Sequence, residues 1–206
     1  MHSTSTVAPV AASRAVSSTH SVWKTSIRFT LLATLLLGLG YPLLVTAIAG
    51  ALFPHKAAGS LILKDGQVIG SELLAQSFTA DRYFHPRPSA AGNGYDATAS
   101  SGSNLAQSNK ALVDRIQGSI DALARENPGR PVPIDLVTTS ASGLDPDITP
   151  DAARFQAPRV AKSRGLTETQ IGQFIEQHTT GRQFGLLGEP RVNVLLLNLD
   201  LDKLAK

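Results

Sequence analysis

Two aspartates near the middle of the chain have the spacing of a phosphoryl-transfer site. Asp145 and Asp147, followed by Thr149, match the DxDxT pattern of haloacid-dehalogenase-type phosphatases, in which the first carboxylate attacks phosphorus and the second acts as general acid or base. That chemistry requires a buried apolar strand before the first aspartate, whereas residues 140–143 read Ser-Ala-Ser-Gly. Thr149 precedes Pro150 and is better explained as a helix cap. We therefore reject a phospho-aspartate site at this motif.

Other motifs for metal or nucleophilic chemistry are incomplete in this sequence. A calcium loop would need glycine where Pro150 stands and a bidentate glutamate where Gln156 stands. Nucleophilic hydrolysis would need a serine held by a histidine, and no GxSxG motif accompanies His55, His85 or His178. With no HExxH pair and no cysteine, we predict no metal site. We interpret His178 as a core or capping residue and His85 as a loop-packing residue.

One short segment has residue types that can bind an anion. The chain contains neither GxxxxGK[ST] nor GxGxxG after a strand, so it is not an autonomous P-loop ATPase. Ser140, Ser142 and Gly143 nevertheless form a run of small residues whose backbone amides and hydroxyl groups can face a phosphate. A tight turn before a helix is the competing interpretation of the same residues, and it is the one that we favour.

The elements that must position these residues alternate between helices and strands without a repeating unit. An Asp-Gly pair between two apolar runs predicts a β-hairpin around residues 64–67, and a short helix is predicted at residues 71–76. Residues 78–103 are dense in Gly, Ser, Asn and Pro and predict a long irregular loop. The further predictions are a helix capped by Asn104, a strand at residues 134–137, a helix from Thr149 to Arg164 ended by Gly165, a helix opened by a capping box at Thr167, and a buried strand at residues 192–199.

An uncharged, mostly apolar run at residues 29–53 dominates the first quarter of the chain. Crossing the hydrocarbon core of a bilayer takes about 20 helical residues, so this run is long enough to span it. Pro42 is predicted to bend the helix, because proline removes a backbone donor and clashes with the preceding turn. A cleaved signal sequence is the alternative, with small residues at 47–49 as the cleavage site, although signal cores are shorter than this run.

The predicted fold class is α/β: a single N-terminal transmembrane helix followed by one mixed α/β soluble domain. We assign residues 1–26 to a disordered N-terminal tail, residues 27–53 to the transmembrane helix and residues 54–206 to the soluble domain. A domain of that size can build its own hydrophobic core. The tail is assigned from its richness in Ser, Thr, Ala and Val without periodicity.

The distribution of charge restricts the partners and the orientation of the chain. The formal net charge is +3, and three of the 19 basic residues, Arg14, Lys24 and Arg28, precede the apolar run. The rest of the chain is formally neutral and has no Lys/Arg cluster among aromatic residues, so nucleic-acid binding is excluded. Only Lys56 and Lys64 follow the run closely, and this asymmetry predicts a cytoplasmic N-terminus with the soluble domain in the periplasm.

Six sequence motifs follow one another from the apolar segment to the end of the chain. They are YPLL at residues 41–44, YFHPRPSA at 83–90, SGSNL at 101–105, DLVTTSASGLD at 135–145, RVA at 159–161 and GEPRVN at 188–193. In this order they resemble the C subunit (KdpC) family of the Kdp potassium-transporting P-type ATPases. The resemblance covers about residues 27–204, and several long motifs in one order make it specific.

The resemblance implies an accessory subunit of a complex in the bacterial inner membrane that hydrolyses ATP to import potassium. In such a complex a channel-like subunit selects potassium and a P-type subunit carries the phosphorylated aspartate, so this chain is implied to be no enzyme on its own. The family is described as a catalytic chaperone that raises the ATP affinity of the P-type subunit. ATP is therefore the implied ligand, with no metal of the chain's own, and Ser140, Ser142 and Gly143 are the residues that we expect to contact it.

Two regions are predicted to contact partner subunits in the membrane complex. One is the bent part of the helix at Tyr41 and Pro42, and the other is the aromatic loop that contains Tyr83, Phe84 and His85. A periplasmic domain would not reach cytoplasmic ATP, so a role in assembly and in coupling across the membrane stands beside nucleotide binding. A membrane-anchored periplasmic hydrolase or binding protein is the alternative function.

Overall fold

The structure, a computed structural model, describes residues 19–204 and divides into two units with a boundary after Ala57. The first unit is helical: α1 (Thr19–Ala33), a π-helical segment (Thr34–Gly40), α2 (Tyr41–Leu52) and the short α3 (Pro54–Ala57). Its stretch Val22–Leu52 has a mean hydropathy of 2.1 and is long and apolar enough to cross a membrane. The helix already begins at Thr19, within the predicted tail, and residues 1–18 of that tail lie outside the described residues.

The helix changes its hydrogen-bond pattern immediately before Pro42. Over Thr34–Gly40 the helix is π-helical, and the N–H of Tyr41 donates to the carbonyl of Leu36, five residues earlier. Proline has no N–H, and its ring crowds the carbonyl four residues earlier in a regular α-helix. Local π-helical adjustment is one way in which membrane helices accommodate this disruption. The structure therefore shows a seven-residue π-helical segment immediately before Pro42, and the bend at Pro42 stays a prediction.

The second unit begins with the predicted β-hairpin. Strands β1 (Leu61–Lys64) and β2 (Gln67–Ser71) pair antiparallel, with Lys64 opposite Gln67. Asp65 and Gly66 form the two-residue turn and both have positive φ angles, 52° and 78°. These angles match the right-handed twist of the strands, which is why Asp-Gly is favoured here.

The helix predicted at residues 71–76 is absent, because Ser71 ends β2 and starts a turn. Its hydroxyl group donates to the carbonyl of Gly59 at 2.7 Å and accepts from the N–H of Leu73 at 3.1 Å. A serine that bonds the backbone two residues later competes with helix formation. Residues 72–109 contain no helix or strand, which confirms the long irregular loop.

Four helices and a small antiparallel sheet form the remainder of the described domain. Strand β5 is central in the sheet, with β3 on one side and β4 on the other. In chain order the elements are α4 (Lys110–Glu126), a 3-10 turn (Ile134–Leu136), β3 (Asp147–Ile148), α5 (Pro150–Arg164), α6 (Glu168–Gln177), β4 (Thr179–Thr180), β5 (Arg191–Asn193) and α7 (Val194–Lys203). This architecture confirms the α/β class with one long apolar helix at the N-terminus.

Helices α5 and α6 begin where their capping residues predict. The Thr149 side chain accepts a hydrogen bond from the N–H of Ala152, and Gly165 ends α5 in a left-handed conformation. Thr167 and Gln170 form the predicted capping box of α6. Such caps satisfy backbone donors that a helix end leaves free. Helix α5 continues through Pro158 and buries seven of its 15 residues.

The sequence prediction is wrong at the start of α4 and at residues 134–137. Helix α4 is capped by Asn109, whose side chain accepts from the N–H of Ala111, and not by Asn104. Asn104 has a φ angle of 52°, which is unlike the extended backbone of an N-cap. Residues 134–137 form a 3-10 turn instead of a strand, since the N–H of Val137 donates to the carbonyl of Ile134.

The strand predicted at residues 192–199 is mostly a helix. Strand β5 ends at Asn193, and the Asn193 side chain accepts from the N–H of Leu196 to cap α7. A continuous apolar run fits a buried strand and a buried helix equally well, and here the cap decides. Helices α5, α6 and α7 pack around one core, whose fully buried members include Val160, Ile171, Ile175, Val192, Leu197 and Leu201.

Candidate functional site

The irregular loop is fastened to α5 by arginine side chains. Arg159 donates through Nη1 to the carbonyls of Asp81 and Tyr83, at 2.7 and 2.9 Å. Arg164 donates through Nε to the carbonyl of Arg82 at 2.7 Å. Hydrogen bonds from charged donors are stronger than those between neutral groups. The loop backbone is thus fixed by residues that lie more than 70 positions later in the chain.

Two buried amide side chains also bind the loop backbone. Each of them pairs with both the N–H and the carbonyl of one loop residue, as the backbone of a neighbouring β-strand would. The Asn198 amide accepts from the N–H of Phe84 at 2.8 Å and donates to its carbonyl at 2.9 Å. The Gln156 amide does the same for His85, at 2.8 and 3.0 Å. Buried backbone groups need such partners. Because Phe84 has no exposed surface, its side chain serves the core and not the surface of the domain.

An acidic and basic cluster holds Tyr83 at the end of α7. The Tyr83 hydroxyl donates to Asp202 at 2.9 Å, and Arg82 and Arg164 pair with the same carboxylate at 3.0 and 2.9 Å. The hydrogen bond to Asp202, together with burial, raises the pKa of Tyr83. Burial opposes ionisation of Asp202, but the hydrogen bonds from Arg164 and Tyr83 outweigh it and lower the pKa of that carboxyl. Tyr83 is therefore a neutral donor that structures the loop.

Ser140, Ser142 and Gly143 form a tight turn that is tied to the irregular loop. The carbonyl of Ser142 accepts from the N–H of Ser101 at 2.9 Å, and the carbonyl of Gly143 accepts from the Ser89 hydroxyl at 2.6 Å. Gly143 has a φ angle of 67°, and a Cβ there would stand 2.5 Å from the carbonyl oxygen of Ser101. Glycine is required at this position for both reasons.

Some of the backbone N–H and hydroxyl groups of this turn form hydrogen bonds within the turn itself. The N–H of Gly143 donates to the carbonyl of Ser140 at 3.3 Å, and the N–H of Leu144 donates to the Ser142 hydroxyl at 3.1 Å. The Ser140 and Ser142 hydroxyl groups lie 3.3 Å apart. Within the described residues, the N–H groups of Ala141 and Ser142 make no hydrogen bond, and both residues are exposed. These two amides and the hydroxyl pair are the donors that an anion could meet.

Each aspartate of the DxDxT motif is paired with an arginine. Asp145 lies 3.2 Å from Nη1 of Arg87, and Asp147 lies 3.0 Å from Nε of Arg191. Arg87 also donates to the carbonyls of Thr138 and Thr139 at 3.4 Å.

Burial raises the pKa of Asp147, although the guanidinium of Arg191 opposes this shift. The four charged side chains of the two Asp–Arg pairs, together with Asp135 and Glu189, line a pocket of about 350 Å³. The Arg87–Asp145 pair therefore joins two loop segments, and the Arg191–Asp147 pair joins β5 to β3.

The structure places the other predicted site residues as follows. Tyr41 and Pro42 lie in the first turn of α2, and the Tyr41 side chain is exposed. Tyr83 and His85 are half-buried beside Phe84, so contact of this segment with a partner would fall to them. His178 caps α6, and its Nε2 lies 2.8 Å from Asp200. Across residues 19–204, no group of three or more His, Asp or Glu side chains is arranged to hold a metal ion.

Within residues 19–204, the structure thus has one apolar helix that can span a membrane and a mixed α/β domain in which polar side chains brace the irregular loop. A family model described as "KdpC: K+-transporting ATPase, c chain" matches residues 23–203. The chain belongs to this family, which confirms the resemblance that the six motifs predict.

Similar proteins agree with the family match over most of their length. The chain is 56% identical to a protein of Koribacter versatilis over 178 residues, which cover 86% of this chain and 92% of the relative. It is 58% identical to a protein of Rhodopseudomonas palustris strain BisB18, covering 82% of this chain and 91% of the relative. A protein of Acidobacterium capsulatum is 55% identical, with coverage of 88% and 97%. All three carry the name "Potassium-transporting ATPase KdpC subunit".

Proposed function

We propose that the chain is the accessory subunit of a high-affinity, ATP-driven potassium import complex and is needed for its assembly. The observation that carries this proposal is the family match over residues 23–203, which includes both the apolar helix and the α/β domain. The partners would be a potassium-channel-like subunit and a P-type ATPase subunit, together with membrane lipid. In this proposal the chain is not catalytic, and ATP hydrolysis belongs to the P-type subunit.

The test of this role is recovery of the complex from membranes. The tagged chain should co-purify with two larger membrane proteins, and removal of the chain should abolish potassium-dependent ATP hydrolysis in the detergent extract. Recovery of the tagged chain alone, with hydrolysis unaffected by its removal, would contradict an accessory role and favour an independent periplasmic protein.

We further propose that the chain acts as a catalytic chaperone that raises the ATP affinity of the P-type subunit. The support is local: Ser140 and Ser142 present a hydroxyl pair beside two exposed amides, and small residues in a turn can hold a phosphate group. Gly143 would serve indirectly, because it fixes the turn against Ser101. No metal of the chain's own is involved in this proposal.

Replacement of both serines tests nucleotide contact in the purified complex. Each lost hydrogen bond is worth about 1 kcal/mol, so Ser140→Ala with Ser142→Ala should raise the KM for ATP by about tenfold or more at unchanged protein levels. Ser163→Ala, at an exposed serine of α5, is the control. An unchanged KM for ATP in the double variant would leave the turn with a structural role only.

We infer a single-pass subunit of the bacterial inner membrane, with the N-terminus cytoplasmic and the soluble domain periplasmic. The support is the three basic residues, Arg14, Lys24 and Arg28, that precede the uncharged apolar run of residues 29–53. The chain has no cysteine, so Ser13→Cys and Val113→Cys can be labelled separately in intact cells with a membrane-impermeant maleimide. Labelling of only the Val113 variant supports this orientation. Labelling of only the Ser13 variant would put the domain in the cytoplasm and make direct ATP contact the leading mechanism.

A further inference from the structure

A loop between β4 and β5 carries the most exposed large apolar side chains of the described residues. Phe184 is 86% exposed and Leu186 is 81% exposed, and Leu187 next to them is 60% exposed. We call these three side chains the apolar tip. Single exposed apolar residues are common on soluble domains, but several adjacent ones mark an interaction site.

The apolar tip stands on a well-defined turn. Gln183 and Leu187 exchange backbone hydrogen bonds of 2.8 and 2.9 Å, and Arg182 pairs with Glu189 at 2.6 Å across the base of the loop. Phe184 and Gly185 occupy the centre of the turn with φ angles of 54° and 75°. A positive φ is unfavourable for an aromatic residue. The hydrogen bonds therefore hold Phe184 in an unfavourable backbone conformation, and its ring is exposed.

Local backbone strain of this kind is characteristic of binding elements whose shape is set in advance. A loop that is ordered before binding loses little conformational entropy when it docks, so more of the apolar contact energy contributes to affinity. Buried aromatic side chains surrounded by smaller contacts are also the usual energetic centres of protein interfaces. The turn geometry and the residue types thus indicate the same use.

The charges around the loop distinguish a protein partner from a lipid surface. Loops and helices that bind anionic membranes place Lys or Arg beside their apolar residues. Here Arg182 is paired with Glu189, and the nearby Arg191 is paired with Asp147. The apolar tip therefore offers shape and apolar surface without a free cation among these neighbours. That combination fits an apolar pocket on a protein.

We propose that the apolar tip docks into an apolar pocket on a larger subunit of the potassium-transporting complex. This inference rests on the proposed function, which supplies the partner. Phe184 and Leu186 enter the pocket, Leu187 covers its edge, and the Arg182–Glu189 pair remains at the rim. The tip is then a contact that holds the domain in place, separate from the turn of Ser140 and Ser142.

A matched pair of double variants tests the contact. Phe184→Ala with Leu186→Ala should weaken binding of the purified chain to the complex that lacks it by at least about tenfold, the effect of losing an interface hot spot. Leu73→Ala with Val113→Ala removes two other exposed apolar side chains and should leave binding unchanged. Thermal unfolding of both full-length variants in detergent should match the unaltered chain, since none of the four side chains is in the core.

Cross-linking identifies the occupant and does not depend on the double variant folding. Phe184→Cys is labelled with benzophenone maleimide in the purified chain, which is then added to the complex that lacks it, and it should link to one larger subunit. The inference would be overturned if the links formed only to lipid or only to a second copy of this chain, or if no link formed in an intact complex. Equal binding by both double variants would also overturn it. These results would leave the proposed function standing. Failure of the unaltered chain to co-purify with any ATPase subunit would instead refute the proposed function itself.

Discussion

Asn198 and Gln156 show how single residues take the place of a missing β-strand. Each amide pairs with both backbone groups of one loop residue, so the loop needs no neighbouring strand. The donors and acceptors are more than 70 positions apart in sequence, and no local pattern connects them. The sequence therefore predicts an irregular loop with aromatic residues, but it does not identify the residues that order this loop.

Replacement of Asn198 should destabilise the domain. Asn198→Leu leaves the N–H and carbonyl of Phe84 without partners in a buried site, and each such group costs about 1 to 3 kcal/mol. The expected loss is about 2 to 5 kcal/mol in the free energy of unfolding, measured by denaturant titration of the full-length chain in detergent. Gln117→Leu, which removes an exposed amide from α4, is the control. Equal losses in the two variants would contradict the role of Asn198.

The half-buried imidazole of His85 predicts a pH dependence of stability. Burial, with the nearby Arg159 guanidinium, lowers the pKa of His85 in the folded chain. The unfolded chain then binds the proton first, so stability is lost as pH falls below about 6.5, the ordinary value for histidine. His85→Gln should unfold with a smaller decrease in Tm between pH 7.5 and 5.5. An identical decrease in both proteins would show that His85 carries no part of this pH dependence.

At the scale of elements, local signals predicted helix starts better than they predicted the type of an apolar run. Thr149, Thr167 and the Asp-Gly turn act within four residues and were placed correctly. Asn104 and Asn109 are equally suitable caps by composition, and only the packed structure selects Asn109. For α7, the residue that could have predicted a helix is Asn193. Its side chain caps the apolar run that follows, and this run is helical.

The join between the Ser140–Gly143 turn and the irregular loop depends on a close approach that only glycine permits. Gly143→Ala places a methyl group 2.5 Å from the Ser101 carbonyl, at a φ angle that is unfavourable for alanine. Gly165→Ala has the same φ angle, 67°, with no atom within 4 Å of the new Cβ. Backbone strain should destabilise both by about 1 to 2 kcal/mol, and steric overlap should add about 1 to 3 kcal/mol at Gly143 alone.

Denaturant unfolding of the two full-length glycine variants measures this difference. The Gly143 variant should also raise the KM for ATP if the turn contacts nucleotide, whereas the Gly165 variant should not. Equal free energies of unfolding in the two variants would mean that the Ser140–Gly143 turn can separate from the irregular loop without cost.

At the scale of the whole molecule, the π-helical segment before Pro42 is the feature that we connect with assembly. Its widened turns set the angular position of the side chains that follow in α2. Pro42→Leu restores an N–H donor and should favour a regular α-helix, which rotates those side chains relative to partner helices. We expect a lower yield of intact complex after detergent extraction at an equal level of the chain. Leu43→Val is the control, and a normal yield with Pro42→Leu would contradict this contact.

The bracing of the irregular loop makes its order inseparable from that of the helices. The carbonyls of residues 81–85 are held by α5 and α7, so this part of the loop cannot open without breaking its hydrogen bonds to Arg159, Gln156 and Asn198. Backbone amides in coil segments usually exchange with solvent quickly, through small local openings. Here the amides of Phe84 and His85 should exchange with deuterium as slowly as those of α5, in one cooperative unit. A segment without regular secondary structure would then report on the global stability of the domain.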